Sequence, residues 1–428
     1  LASFTQDLLS VLKSKVTVLL CGVFTSIITA RYLGAAGSGE LATLIVIPDL
    51  LMIVGSLGIR QSAAFFIGKE KYSDEKIFSN VLGMWLITSL LCMLMSWVFL
   101  RYVTNSTFST TLILLALLPI PFALLSTYSS GVFLGKNKIK DFNSVNWIPN
   151  VVQLASYVLL IMLIPLGIEG ALIGRALGYI IVIYFIWRKL TAIVPIKFSF
   201  DLKVIKELLA LGGIYAISLI IINFNYKIDV ILLEKFSTLH EVGIYTKGAV
   251  IVEKLWEIPS LLGAIIFARS ATAKNSKLFS YKVAQLLRIC FVVIFIACIV
   301  FFVFSELIMT TMYGDEFLAS SQVQRILLPG IFFMTILKVL NMDLAGRGKP
   351  WLALYAMLPS LVVNIALNWL WDEKYGANGA AAASMISYTV SAILFLIVYS
   401  RSVGISIKEI FRYSTEDFIL VKQKILKR

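Results

Sequence analysis

Ionisable residues stand inside long apolar stretches of this sequence, and they are unevenly shared. The stretch Glu40–Phe66 holds Asp49 and Arg60, Leu208–Leu233 holds Lys227 and Asp229, and Val242–Ala268 holds Lys247, Glu253, Lys254 and Glu257. Arg31 closes the stretch before them. Asp49 and Arg60 are eleven residues apart, about three helical turns, so on a helix they project from nearly one face. Lys247 and Lys254 share a stripe at a spacing of seven, with Glu253 and Glu257 fanning to one side. A charge deep in hydrocarbon costs about 3 kcal/mol and by default faces a bundle interior or a wet cavity. Lys and Arg gathered with a few carboxylates suit an anionic headgroup such as pyrophosphate. Arg31, Arg60, Lys227, Lys247 and Lys254 are therefore the candidate substrate-binding cations. Asp49, Asp229, Glu253 and Glu257 are the carboxylates that balance them or carry a coupling proton or sodium ion. The plainer readings are a structural ion pair for the mid-span groups, snorkelling for Arg60, Arg288 and Lys338, and interface anchoring for Arg31 and Lys235. Arg175 and Arg325 read as structural.

The elements that must carry these residues follow from composition. Hydrophobic residues make up 59% of the 428 positions and charged ones 14%, so the bilayer is the solvent. Apolar blocks of about twenty residues match a helical crossing and are too long for the alternating strands of a barrel. Twelve spans are expected: Ser14–Tyr32, Glu40–Phe66, Ile77–Tyr102, Thr107–Leu134, Phe142–Pro165, Ala171–Trp187, Leu208–Leu233, Val242–Ala268, Tyr281–Ser305, Val323–Ala345, Trp351–Trp371 and Ala377–Tyr399. The Leu1–Lys15 stretch is mixed polar and runs straight into a full-length span, unlike a cleavable signal peptide.

The net charge of +14 sorts by loop, which argues against nucleic acid as the partner. Lys69, Lys71 and Lys76, Lys136, Lys138 and Lys140, Arg188 to Lys206, Arg269 to Lys282, and Arg347 with Lys349 all fall on the side of the termini. The opposite loops hold only Arg31, Arg101, Lys235 and Lys374, so an even number of spans with both termini cytoplasmic is expected. The four cysteines lie inside spans without ligand spacing, and His240 is the single histidine, so no metal site, catalytic triad or cofactor is expected.

The spans repeat. Gly167-Ile168-Glu169-Gly170-Ala171 returns as Gly376-Ala377-Asn378-Gly379-Ala380, Gly135-Lys136-Asn137-Lys138 as Gly346-Arg347-Gly348-Lys349, and Gly39 with Asp49 as Gly243 with Glu253. These matches keep one order at an offset of about 204 to 211 residues, which implies six spans duplicated to twelve. The expected organisation is an N-terminal six-helix lobe over 1–190, a cytoplasmic linker over 191–207, a C-terminal six-helix lobe over 208–400 and a basic amphipathic tail over 401–428. Two equivalent lobes of one orientation suit a transporter that rocks them about a path between.

Ala30-Arg31-Tyr32-Leu33-Gly34 followed by Gly39 and then Leu57-Gly58 resembles the opening of bacterial polysaccharide-export flippases of the Wzx type. These belong to the multidrug/oligosaccharidyl-lipid/polysaccharide exporter superfamily. Asp229-Val230-Ile231-Leu232-Leu233, Glu241-Val242-Gly243-Ile244-Tyr245 and Pro259 are similar to the family's repeated signature, while Ile266-Phe267-Ala268-Arg269 departs from it by lacking a proline. The resemblance implies two six-helix lobes in a V and a cavity lined by helices one, two, seven and eight. It implies undecaprenyl-pyrophosphate-linked oligosaccharide as the substrate, carried across the bacterial cytoplasmic membrane. Membrane lipids and polysaccharide-assembly proteins are the partners that go with this. A drug or cation antiporter of the same superfamily is the alternative, disfavoured by the basic outer mouth. A membrane polymerase or glycosyltransferase is a further one, disfavoured because Glu306–Ser321 leaves little room for a catalytic loop.

Overall fold

The computed structural model describes residues 2–195, 197–271, 273 and 275–414, and among these every element is helical. The order is α1 (Ala2–Gly55), α2 (Ile59–Gly68), α3 (Asp74–Val98), α4 (Thr110–Leu117), α5 (Pro119–Gly135), α6 (Ile139–Tyr157), α7 (Gly167–Leu190) and α8 (Leu202–Phe236). It continues with α9 (Leu239–Glu253), α10 (Glu257–Ala271), α11 (Ser276–Val303), α12 (Ser305–Tyr313), α13 (Ser320–Gly346), α14 (Leu354–Val403) and α15 (Ile407–Ile410). Among the described residues nine stretches are long and apolar enough to cross a membrane, and two of them, Ser10–Gly68 and Pro350–Val403, run to 59 and 54 residues. One crossing needs about 20 residues. The helical path breaks inside each long stretch, at Gly34 (φ 68°) and Gly376 (φ 53°), a left-handed conformation that glycine adopts without strain. Each therefore counts as two spans. Leu239–Ala271, α9 and α10 joined by a 3₁₀ turn at Lys254–Trp256, is the twelfth and carries Lys247, Glu253, Lys254 and Glu257. The chain is a twelve-helix membrane protein of two-lobed architecture. Leu90, Leu94, Ile296 and Trp369 stand largely exposed, as side chains solvated by lipid do.

The chain divides into two compact units, Leu1–Gly243 and Ile244–Arg428. In the first unit, small residues set the helix spacing. A Cβ on Gly131 would lie 2.7 Å from the Arg60 carbonyl oxygen, and one on Gly135 would lie 2.7 Å from Ile67 Cβ, so these two α5 glycines let α2 pack against its backbone. Around that contact Ile59, Phe66, Phe78, Tyr128 and Phe133 form one core, and Leu44, Ile113, Ile120 and Leu172 belong to another. The polar joint after α7 docks back through Ser199 N to Ser79 O (3.1 Å) and Asp201 N to Asn80 Oδ1 (2.6 Å). Ion pairs Lys76–Asp201 (2.7 Å), Lys197–Glu75 (2.7 Å) and Lys189–Asp141 (2.6 Å) clasp the same end.

In the second unit α13 packs on α10, α11 and α14. Its C-terminal end is tied by the fully buried Asp343, which accepts from Ser270 Oγ (2.5 Å), Ser280 Oγ (2.5 Å), Tyr399 Oη (2.7 Å) and Arg347 Nε (3.0 Å). Cys21, Cys92, Cys290 and Cys298 are free and buried, in line with their reading as small core residues. The expected amphipathic surface helix from Phe418 onward lies outside the described residues.

Candidate functional site

The first unit encloses a cavity of about 520 Å³ whose wall combines Asp49, Arg60 and Lys227 with Gln61, Ser126, Thr127, Ser130, Asn146, Asn150, Asn223 and Tyr179. Six helices contribute to it. Asp49 follows Pro48 in the second half of α1, Arg60 opens α2, Lys227 and Asn223 come from α8, and the rest come from α5, α6 and α7.

The position of Arg60 depends on a break inside the span expected over Glu40–Phe66. Between α1 and α2 the backbone is left-handed at Leu57 (φ 48°) and Gly58 (φ 64°). A Cβ on Gly58 would lie 2.0 Å from the Gly212 carbonyl oxygen, so α8 seats directly on the break. Backbone freed from a helix inside a bilayer must find other partners. Here Tyr128 Oη donates to Gly55 O (2.8 Å), and Cys92 Sγ lies 3.3 Å from Leu51 O. The span expected as a single helix over Glu40–Phe66 is thus two helices, and the second re-aims Arg60 toward the cavity.

Asp49 is flanked by two cations. The Arg175 guanidinium donates to its Oδ1, and Lys227 Nζ stands 3.3 Å from its Oδ2. The guanidinium also lies over the Tyr179 ring, 5.9 Å from its centroid. Among the described lining residues Asp49 is the one carboxylate, and it is already engaged with two positive charges. Arg60 contributes a further cation to the wall. Such a wall can hold an anion in a charge-assisted fork. For a hydrophobic cation it offers little.

The second unit holds the other candidates. Lys247 is buried beneath the Tyr313 ring, 5.6 Å from its centroid. Lys254 sits on the 3₁₀ turn between α9 and α10, half-buried, with no ion pair to any described residue. Glu253 and Glu257 flank that turn and are half-buried too. In α14, Ser360, Asn364, Asn368 and Asp372 recur every fourth residue, all fully buried. Ser387 Oγ donates to Ser360 O (2.9 Å), and Asn368 Nδ2 to Asn364 Oδ1 (3.0 Å). Among the described residues no group of three His, Cys, Asp or Glu could hold a metal ion.

Set against the sequence, the structure gathers Asp49, Arg60 and Lys227 in one cavity and carries Lys247, Glu253, Lys254 and Glu257 on a single broken helix. Asp229, two residues past Lys227, is fully buried and off the cavity wall. Arg31 is exposed at the end of the first span and does not line the cavity. Arg175, read as structural, is an ion-pair partner of Asp49. Snorkelling does not describe Arg60, which lines the cavity, nor Arg288, which is buried and donates to Ile410 O (2.9 Å). Lys338 lies over the Trp256 ring at 4.6 Å. The asparagines went unnoticed because neutral amides do not interrupt an apolar stretch as charges do, although Asn146 and Asn150 at helical spacing were a visible signal.

The chain matches the polysaccharide biosynthesis protein family over residues 4–267 and the MatE family over residues 215–370. It is 25% identical over 236 residues to a putative O-antigen transporter of Shigella flexneri, a match covering 55% of this chain and 56% of that one. It is 31% identical over 124 residues to a probable low-salt glycan biosynthesis flippase, Agl15, of Haloferax volcanii, covering 29% of this chain and 25% of that one. The chain thus spans just over half the length of the first relative and a quarter of the second. Its fold is similar to that of the lipid II flippase MurJ in an inward closed conformation, with a TM-score of 0.77 at 18% identity over 97% of this chain and 92% of the other. The chain belongs to the polysaccharide biosynthesis protein family, within the multidrug/oligosaccharidyl-lipid/polysaccharide exporter superfamily.

Proposed function

We propose that this protein is a flippase that carries an undecaprenyl-pyrophosphate-linked oligosaccharide, an O-antigen or similar repeat unit, from the cytoplasmic to the outer leaflet by alternating access. The observation that carries the reading is the cavity of the first unit, where Arg60 and Lys227 meet a single carboxylate already engaged by Arg175 and Lys227. A drug antiporter would place an available carboxylate or stacked aromatic rings in that wall. The names of the relatives, an O-antigen transporter and a glycan flippase, support the same substrate class. The duplicated lobes over 1–190 and 208–400, joined by the linker 191–207, are the rocking bodies of this mechanism. The loop charges support a cytoplasmic-membrane protein with both termini inside.

Lys254 is the pyrophosphate contact of the second unit in this reading, because it is half-buried and has no ion pair to any described residue. Arg60 and Lys227 are the anion-binding cations of the first unit. Asp49 serves as their counter-charge, and coupling to a proton or sodium ion runs through the fully buried Asp229 and Asp372. Surface polysaccharide restored in a flippase-deficient strain is the test. Lys254→Arg keeps most of the activity and Lys254→Gln loses about tenfold or more, whatever is done to Glu257, with membrane levels matched by blot. A normally expressed Lys254→Gln protein with full activity removes the binding role.

A further inference from the structure

We infer that the cavity of the first unit is a saccharide subsite, in which Asn146, Asn150 and Asn223 recognise the sugar attached to the pyrophosphate. The inference rests on the flippase reading and names what that cavity discriminates.

Charge alone does not explain this wall. Holding pyrophosphate needs cations, yet four carboxamides and the hydroxyls of Ser56, Ser126, Thr127, Ser130 and Tyr179 line the wall with Arg60 and Lys227. Polar groups inside a bilayer-embedded bundle are costly unless they are satisfied. The asparagines are only half satisfied by protein. Asn146 Nδ2 donates to Phe142 O (3.3 Å), Asn150 Nδ2 to Asn146 O (2.8 Å) and Asn223 Nδ2 to Leu219 O (2.8 Å). Each bond runs to the carbonyl one turn back, fixing the side chain while leaving the amide oxygen and one N–H for a guest. Thr127 and Ser130 likewise donate to backbone carbonyls, at 2.9 and 2.6 Å, and keep their oxygens as acceptors.

The wall therefore offers neutral acceptors and donors in alternation, held in place before any ligand arrives. A pyranose has the matching surface, since every hydroxyl both donates and accepts, and an acetamido group pairs with a carboxamide. Asn146 and Asn150, at i and i+4 on α6, present two such amides side by side, with Asn223 of α8 joining them in the same wall. A volume of about 520 Å³ admits one or two sugar rings and falls within the range of small-molecule sites. Among the described lining residues Tyr179 is the one aromatic side chain, and the Arg175 guanidinium lies over its ring. Stacking a flat cation there is disfavoured.

The test uses the full chain in lipid nanodiscs and equilibrium binding of two probes, undecaprenyl pyrophosphate and undecaprenyl-pyrophosphoryl-N-acetylglucosamine. Wild type binds the sugar-bearing probe about tenfold tighter, and Asn150→Leu and Asn223→Leu each erase most of that preference while leaving the affinity for the sugar-free probe unchanged. Retained binding of the sugar-free probe shows that each variant is folded. Equal wild-type affinity for the two probes overturns the subsite, as do variants that weaken both probes alike. If wild type binds neither probe, the flippase reading itself fails and the subsite falls with it.

Discussion

Asp49 is the residue at which a transport role and a structural role are easiest to confuse. It sits at mid-span, where a lone carboxylate would be a natural carrier of a coupling ion, yet Arg175 and Lys227 both bind it. Removing one partner of a buried ion pair strands the other and costs about 3–5 kcal/mol. Asp49→Asn is therefore expected to lower the thermal stability and the membrane level of the protein, and the double variant Asp49→Asn with Arg175→Gln to recover most of both. A stable Asp49→Asn protein whose transport simply loses its pH dependence would instead make Asp49 the coupling group. At this scale Lys227 stood out in the sequence as a charge inside hydrocarbon, whereas Arg60, near a span end, had snorkelling as its plainer reading. Arg175 did not stand out, since its depth depends on where α7 starts. The carboxamides did not, since their meaning comes only from sharing a wall.

Helix breaks decide where those residues point, and glycine decides the breaks. Gly34 and Gly376 fall between spans, where the apolar pattern already pauses, so two of the joints were readable. The joint at Leu57–Gly58 falls in the short polar dip Gly55–Ser62 inside one expected span, and Gly212 lets α8 approach it closely. Gly39 and Gly243, which the repeat pairs, meet at another crossing. A Cβ on Gly39 would lie 1.8 Å from Leu239 O, and one on Gly243 would lie 1.9 Å from Ala35 O. Gly39→Val is expected to force that crossing apart and to reduce transport about tenfold or more in a correctly inserted protein, measured as surface polysaccharide per unit of membrane-inserted chain.

The joint after α7 makes a prediction about pH. A hydrogen bond from Lys76, aided by the backbone N–H groups of Lys203 and Val204, holds the Asp201 carboxyl below its ordinary range. A carboxyl depressed in the folded state stabilises above its unfolded pKa and loses that effect as pH falls through the lower, folded value. Resistance of the 191–201 segment to protease is accordingly expected to hold from about pH 8 down to pH 5 and to fade only below about pH 4. Loss of protection near neutrality would show that this ion pair does not fasten the joint.

At the scale of the whole molecule the sequence carried furthest. Twelve crossings and a membrane location follow from blocks of apolar residues, because lipid tolerates only helices with satisfied backbones and leaves the pattern little freedom, while the exporter fold was implied by the resemblance of motifs such as Ala30–Gly34 and Glu241–Tyr245. What hydropathy does not carry is which polar atoms share a space. Those juxtapositions are what the proposed sugar-lipid substrate rests on. The most direct measurement reconstitutes the protein in liposomes loaded with an undecaprenyl-pyrophosphoryl oligosaccharide and follows the arrival of sugar at the outer leaflet with a membrane-impermeant glycosidase. The account predicts transfer about tenfold or more above protein-free liposomes, slowed by about tenfold in Lys227→Gln and in Lys254→Gln. Sugar that stays in its original leaflet while the same vesicles transport an organic cation would contradict it.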